Sequence, residues 1–113
     1  MRIEESVHGG IGILSIIGDL AVEEAAELKK LTTPYLEENK FTGLIWNLKS
    51  VRYIDSSGLG LIVSFFKSLK GLNKKFALAD LNSKSREMLN ISKLDKFLVI
   101  AKNNESALKI LQD

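Results

Sequence analysis

The sequence predicts one α/β domain: a β-hairpin followed by alternating strands and helices, giving a four- to five-stranded mixed sheet with about four helices. Three observations predict it. The chain has 113 residues, the size of a single domain spanning 1–113. Short apolar runs recur along it, separated by segments with helical spacing. Glycine, asparagine and aspartate punctuate the boundaries between them. Strands that alternate with helices pair in parallel through right-handed crossovers.

The elements follow in order. Residues 2–7 read as a strand with Ile3, Glu5 and Val7 on one side, and His8-Gly9-Gly10 supplies a turn. Residues 11–17 are apolar on both faces, as an interior strand should be, so the two pair as a hairpin that Gly18-Asp19 closes. From Val22 to Glu38 the spacing is helical, with Ala25, Leu28, Tyr35 and Leu36 on one stripe. Pro34 lies inside that stretch and removes a backbone donor, so a kink or break is expected there. After Gly43, Leu44 to Leu48 reads as a buried parallel strand. A loop from Lys49 to Asp55 leads into a helix from about Ser57 to Lys70, which Gly71 and Asn73 stop. Phe76 to Ala79 is a strand, and Asn82 or Ser83 caps a helix reaching Asn90 or Ser92. Phe97 to Ile100 is the last strand. Asn103 or Asn104 caps a final helix with Ala107, Leu108 and Leu111 inward.

Composition excludes several chemistries. With 45% hydrophobic residues, a chain of this length can bury a core without a disulfide or a metal. It has no cysteine, which removes thiolate metal sites and a Cys nucleophile and suits a reducing cytosol. A formal charge of +2 is too small to indicate a nucleic-acid partner. Lys67, Lys70, Lys74 and Lys75 lie close together but read as a solvated helix end followed by a turn. No apolar stretch is long enough for a membrane span, and the N-terminus lacks the apolar region of a signal peptide.

The local feature that stands out is Tyr53-Ile54-Asp55-Ser56-Ser57-Gly58-Leu59-Gly60-Leu61, where a strand's carboxyl end turns into a helix. That edge of an α/β sheet is where function usually collects. Asp55, Ser56 and Ser57 are all good N-caps, and capping alone would justify one of them. Two adjacent hydroxyls after a carboxylate, followed by two glycines, exceed that need, since each glycine costs the helix roughly 1 kcal/mol against alanine. Small residues leave backbone open to a partner, and the helix end tolerates a phosphate dianion. Leu59, Ile62, Val63, Phe66 and Leu69 form the stripe expected to face the core. Leu61 and Phe65 fall about 100° outside it and read as a docking surface unless a neighbouring helix covers them.

Enzymatic readings lack partners. A Ser nucleophile needs a base, and His8, the only histidine, sits at the first hairpin. Neither a Gly-x-Ser-x-Gly elbow nor a Gly-Lys pair for a phosphate loop occurs. No enzyme activity, cofactor or metal is expected.

The chain resembles the STAS-domain family, and within it the bacterial anti-sigma factor antagonists. The likeness rests on the hairpin, Gly18-Asp19-Leu20, the strand Leu44–Leu48, the Asp55-Ser56-Ser57-Gly58-Leu59-Gly60 string and the closing Ile91-Ser92-Lys93-Leu94 segment. The resemblance implies a cytoplasmic protein that binds an anti-sigma factor, itself a serine kinase. It implies phosphorylation of Ser56, with Ser57 the second choice, release of the partner by that modification, and resetting by a PP2C-type phosphatase. Asp19, Asp55, Ser57, Gly58, Leu61 and Phe65 are the residues expected at the docking surface. Antagonists of this kind often carry an acidic residue where this chain has Ala21, and Lys93 stands where a helix-ending glycine is common. Some members of the family act instead as unphosphorylated scaffold or regulatory subunits of transport or stress complexes.

Overall fold

The computed structural model describes residues 1–112. Strands β1 (Arg2–His8) and β2 (Ile11–Ile17) form the expected antiparallel hairpin, with Ile3 opposite Ile16 and Val7 opposite Gly12. Gly9 and Gly10 turn it at φ +54° and +86°, which explains why both positions are glycine. The chain continues through α1 (Val22–Glu37), β3 (Gly43–Ser50), α2 (Ser56–Gly71), β4 (Lys75–Ala79), α3 (Ser83–Ile91), a 3₁₀ turn (Leu94–Lys96), β5 (Val99–Ala101) and α4 (Asn104–Gln112).

The five strands lie in sequence order, and every pair after the hairpin is parallel. Each crossover steps one strand in the same direction, so right-handed connections put α1, α2 and α3 on one face. The main core lies there, built from Leu14, Trp46, Leu48 and Leu78 of the sheet and Leu28, Ile62, Phe65 and Leu89 of the helices. Helix α4 covers the other face, setting Ala107 and Leu111 against Ile13, Ile45, Ala77 and Ala79. The exposed part of that face belongs to β1, whose Arg2, Glu4, Ser6 and His8 share the parity of Ile11 and Ile13 across the hairpin. No described helix is long and apolar enough to cross a membrane.

Two expectations change here. Pro34 does not break α1, which runs on to Glu37. Pro34 is on the exposed side, where a carbonyl deprived of its donor faces water rather than the core. The last strand begins at Val99 instead of Phe97. Lys93 closes α3 in the left-handed region at φ +64°, and the chain then takes one more turn, with Leu98 N–H donating to the Leu94 carbonyl at 2.9 Å. Phe97 is left outside the sheet and 69% exposed.

Candidate functional site

The site forms where two loops at the carboxyl edge of the sheet are stitched together. Leu20, after β2, pairs with Ile54, after β3, as a single parallel bridge. Leu20 N–H donates to the Tyr53 carbonyl at 2.8 Å, and Asp55 N–H donates to the Leu20 carbonyl at 2.9 Å. This pairing brings the start of α1 beside the start of α2.

Asp55 then does the work of two caps. Its Oδ1 accepts from Ser57 N–H at 2.9 Å and Gly58 N–H at 3.0 Å, which makes it the N-cap of α2. Its Oδ2 accepts from Val22 N–H at 3.0 Å, in the first turn of α1. Ala21, the N-cap position of α1, offers no side-chain acceptor, so Asp55 supplies one from 33 residues away. Of the three capping candidates, Asp55 therefore takes the role. The two serines are left inside the first turn, Ser56 exposed and Ser57 half-buried. Asp19 lies on the adjoining loop, accepting from Arg52 N–H at 3.2 Å and standing 3.8 Å from its guanidinium.

Two residues expected at the docking surface are elsewhere. Phe65 is 3% exposed and belongs to the core, its ring 4.7 Å from Trp46 and 5.4 Å from Phe76 between centres. The buried stripe of α2 is Gly58, Ile62, Phe65 and Leu69, so the helix is turned from the predicted phase and leaves Leu59, Val63 and Phe66 half-buried. Gly58 is buried as well: a Cβ there would overlap the Leu20 carbonyl oxygen and lie 2.6 Å from the Leu20 Cβ. Its smallness serves the crossing of α2 over the Leu20 loop, whereas Gly60 faces open space. Leu61 is half-buried against the core.

The structure brings Asp19, Asp55, Ser56 and Ser57 together at one edge. Tyr53, 56% exposed, and Val22, 66% exposed, flank them. Tyr53 opens the string that stands out in the sequence but was not among the residues expected at the docking surface. Val22 was not singled out, and its place depends on the Leu20–Ile54 pairing, which no local pattern announces. His8 stands opposite Ile11, at the far end of β2, about 20 Å of strand from this edge. It cannot serve Ser56 as a base.

Comparison with known proteins extends the likeness over the whole chain. The STAS domain profile matches residues 2–107. The chain is 26% identical over 112 residues to the anti-sigma F factor antagonist of Paenibacillus polymyxa, covering 99% of this chain and 96% of that one. It is also 26% identical over 105 residues to the anti-sigma-B factor antagonist of Staphylococcus epidermidis, covering 93% and 96% of the two chains. The crystal structure of TM1081, a candidate anti-sigma factor antagonist from Thermotoga maritima, superposes with a TM-score of 0.92 at 26% identity, covering 98% of this chain and 95% of that one. With the five-stranded sheet, the helix order and the Asp55-capped serine pair in place, the chain belongs to the STAS domain family.

Proposed function

We propose that this protein is an anti-sigma factor antagonist that regulates transcription by partner switching. In its unmodified form it binds an anti-sigma factor that is also a serine kinase, so that the sigma factor is freed. The kinase phosphorylates Ser56, the complex dissociates, and a PP2C-type phosphatase restores the binding form.

The observation that carries this reading is the division of labour at the start of α2. Asp55 makes the cap, so the exposed Ser56 hydroxyl can be modified without removing an interaction the helix needs. The amides of Ser57 and Gly58 are already taken by Asp55, so the helix end has little left with which to neutralise a phosphate. The new dianion would stand beside the Asp55 carboxylate and face the partner. Burying an unpaired charge in an interface costs several kcal/mol, and each 1.4 kcal/mol is about tenfold in affinity. One phosphate is enough to end binding while the domain stays folded. The docking surface centres on Ser56, Ser57, the exposed part of Leu61 and the Asp19–Arg52 rim, with Phe65 and Gly58 acting from beneath it.

The test is incubation with candidate partner kinases and ATP, followed by mass analysis of the peptide containing Ser56. A gain of about 80 Da, one phosphate, is expected there. Ser56→Ala should bind the partner constitutively and Ser56→Asp at least roughly tenfold more weakly. If both bind like the wild type, the interface lies elsewhere. Ser57→Ala should still be labelled, and its loss of labelling would reassign the hydroxyl.

Ala21 favours a second reading, an unphosphorylated scaffold or regulatory subunit of a transport or stress complex, because the acidic residue common in antagonists is missing at the edge of the site. Absence of labelling by every kinase that binds the protein would select it.

A further inference from the structure

The side chain of Phe66 stands between two grooves toward the carboxyl end of α2. One, about 300 Å³, is walled by Val63, Leu94 and Phe97 with Lys67 at its margin. The other, about 330 Å³, runs past the sheet edge to Val99 and Ile110 and is bordered by Lys70 and Lys74. Phe97 is 69% and Ile110 48% exposed, so the strip offers large apolar side chains to solvent at both ends. Among the described residues no carboxylate lines either groove. Lys67 and Lys70 make no ion pair with any described residue, and the Lys70 ammonium lies 5.9 Å from the Phe66 ring centre. Lys74 donates to the Glu38 carbonyl oxygen rather than to an acid.

We propose that these two grooves form a second docking surface, which receives an acidic amphipathic helix of a protein partner. The apolar side chains of such a helix would fill the grooves on either side of Phe66, and its carboxylates would meet the lysines. The groove walled by Val63, Leu94 and Phe97 is concave and lies at the small end of ligand sites, with room for a few side chains. A bilayer, by contrast, is met by a protruding amphipathic face. The single sign of charge selects an acidic occupant. Val63 and Phe66 lie seven and ten residues beyond Ser56, about 10 and 15 Å along the helix axis. Both distances exceed the ~8 Å screening length at physiological salt. Docking here is therefore independent of the charge on Ser56, and its success or failure is separate from that of the partner-switching reading.

The probe is a fluorescently labelled helical peptide with leucines at i, i+3, i+4 and i+7 and glutamates elsewhere, titrated with the full chain and followed by anisotropy. Saturable binding is expected, weakened roughly tenfold by Phe97→Asp or Ile110→Asp and reduced by Lys67→Glu with Lys70→Glu. Ser56→Asp should bind the peptide like the wild type. These side chains are exposed or half-exposed, and an unchanged circular dichroism spectrum for each variant checks that it is folded. Lack of saturable binding, binding unmoved by both Asp variants, or equal binding of a peptide with lysines in place of the glutamates would overturn the proposal. Sedimentation with phosphatidylglycerol vesicles in the absence of peptide binding would overturn it in favour of a membrane surface.

Discussion

A single carboxylate, that of Asp55, accepts from three amides and so ties the starts of two helices together. Beside it, two glycines of the same motif have opposite physical meanings. Gly58 lies under the Leu20 backbone with no room for a methyl group, whereas nothing lies within 4 Å of a Cβ built at Gly60. Gly58→Ala should therefore cost about 2–3 kcal/mol by overpacking. Gly60→Ala should stabilise by about 0.5–1 kcal/mol through helix propensity. Urea denaturation of the two variants reads the contrast directly, and similar shifts would refute it. Lys93 holds φ +64° where a left-handed backbone disfavours a side chain. Lys93→Gly should raise stability by about 1 kcal/mol in the same measurement.

At the scale of elements, the question is which face a helix buries when apolar residues surround it. Helix α2 buries Phe65 against Trp46 and Phe76, so Phe65→Ala should cost about 3–5 kcal/mol. Leu61→Ala should cost less than half of that, since Leu61 is only half-buried. Trp46 is the only tryptophan, and its fluorescence should change in folded Phe65→Ala but little in Leu61→Ala. Helix α1 is tied to the edge strand by Tyr35, whose hydroxyl donates to Glu5 Oε1 at 2.8 Å. Burial, helped by the Glu5 carboxylate, pushes the Tyr35 phenol from 10.0 up to about 12. The folded state thus favours the protonated phenol, a contribution fully present below pH 10 and lost as pH rises to about 12. Stability of the wild type should fall more steeply across that window than stability of Tyr35→Phe. Parallel curves would show that the tether does not titrate.

At the scale of the molecule, one sheet serves two cores, with three helices on one face and α4 alone on the other. Because the central strands contribute to both, the faces should unfold together. Leu111→Ala, on the α4 face, should lower stability by about 2–4 kcal/mol. It should also shift the urea midpoints of Trp46 fluorescence and of far-UV circular dichroism equally. Separate midpoints would mean that α4 opens by itself. The strand and helix order was readable because each element carries a local signal: the glycine turn of the hairpin, the apolar run of β3, and the Asn82 cap of α3. That a cap lies within Asp55-Ser56-Ser57 was readable for the same reason, since capping chemistry acts over three residues, but which of the three takes it, and so leaves Ser56 exposed, was not.

By itself, the sequence determined the alternating fold, the hairpin, the position of the Asp55-Ser56-Ser57 motif at a helix mouth, and the family. The fold, the hairpin and the motif's place depend on periodicity and turn chemistry within a few residues, and the family on the likeness of the Asp55–Gly60 string and its companion segments. Only the tertiary structure decided that Phe65 and Gly58 lie in the interior, that Asp55 caps α1 in place of Ala21, and that Phe97 is left outside the sheet. The physical reason is the same in each case. A helix apolar on several sides takes its rotation from what packs against it, and a side chain finds a distant amide only after Leu20 and Ile54 have paired.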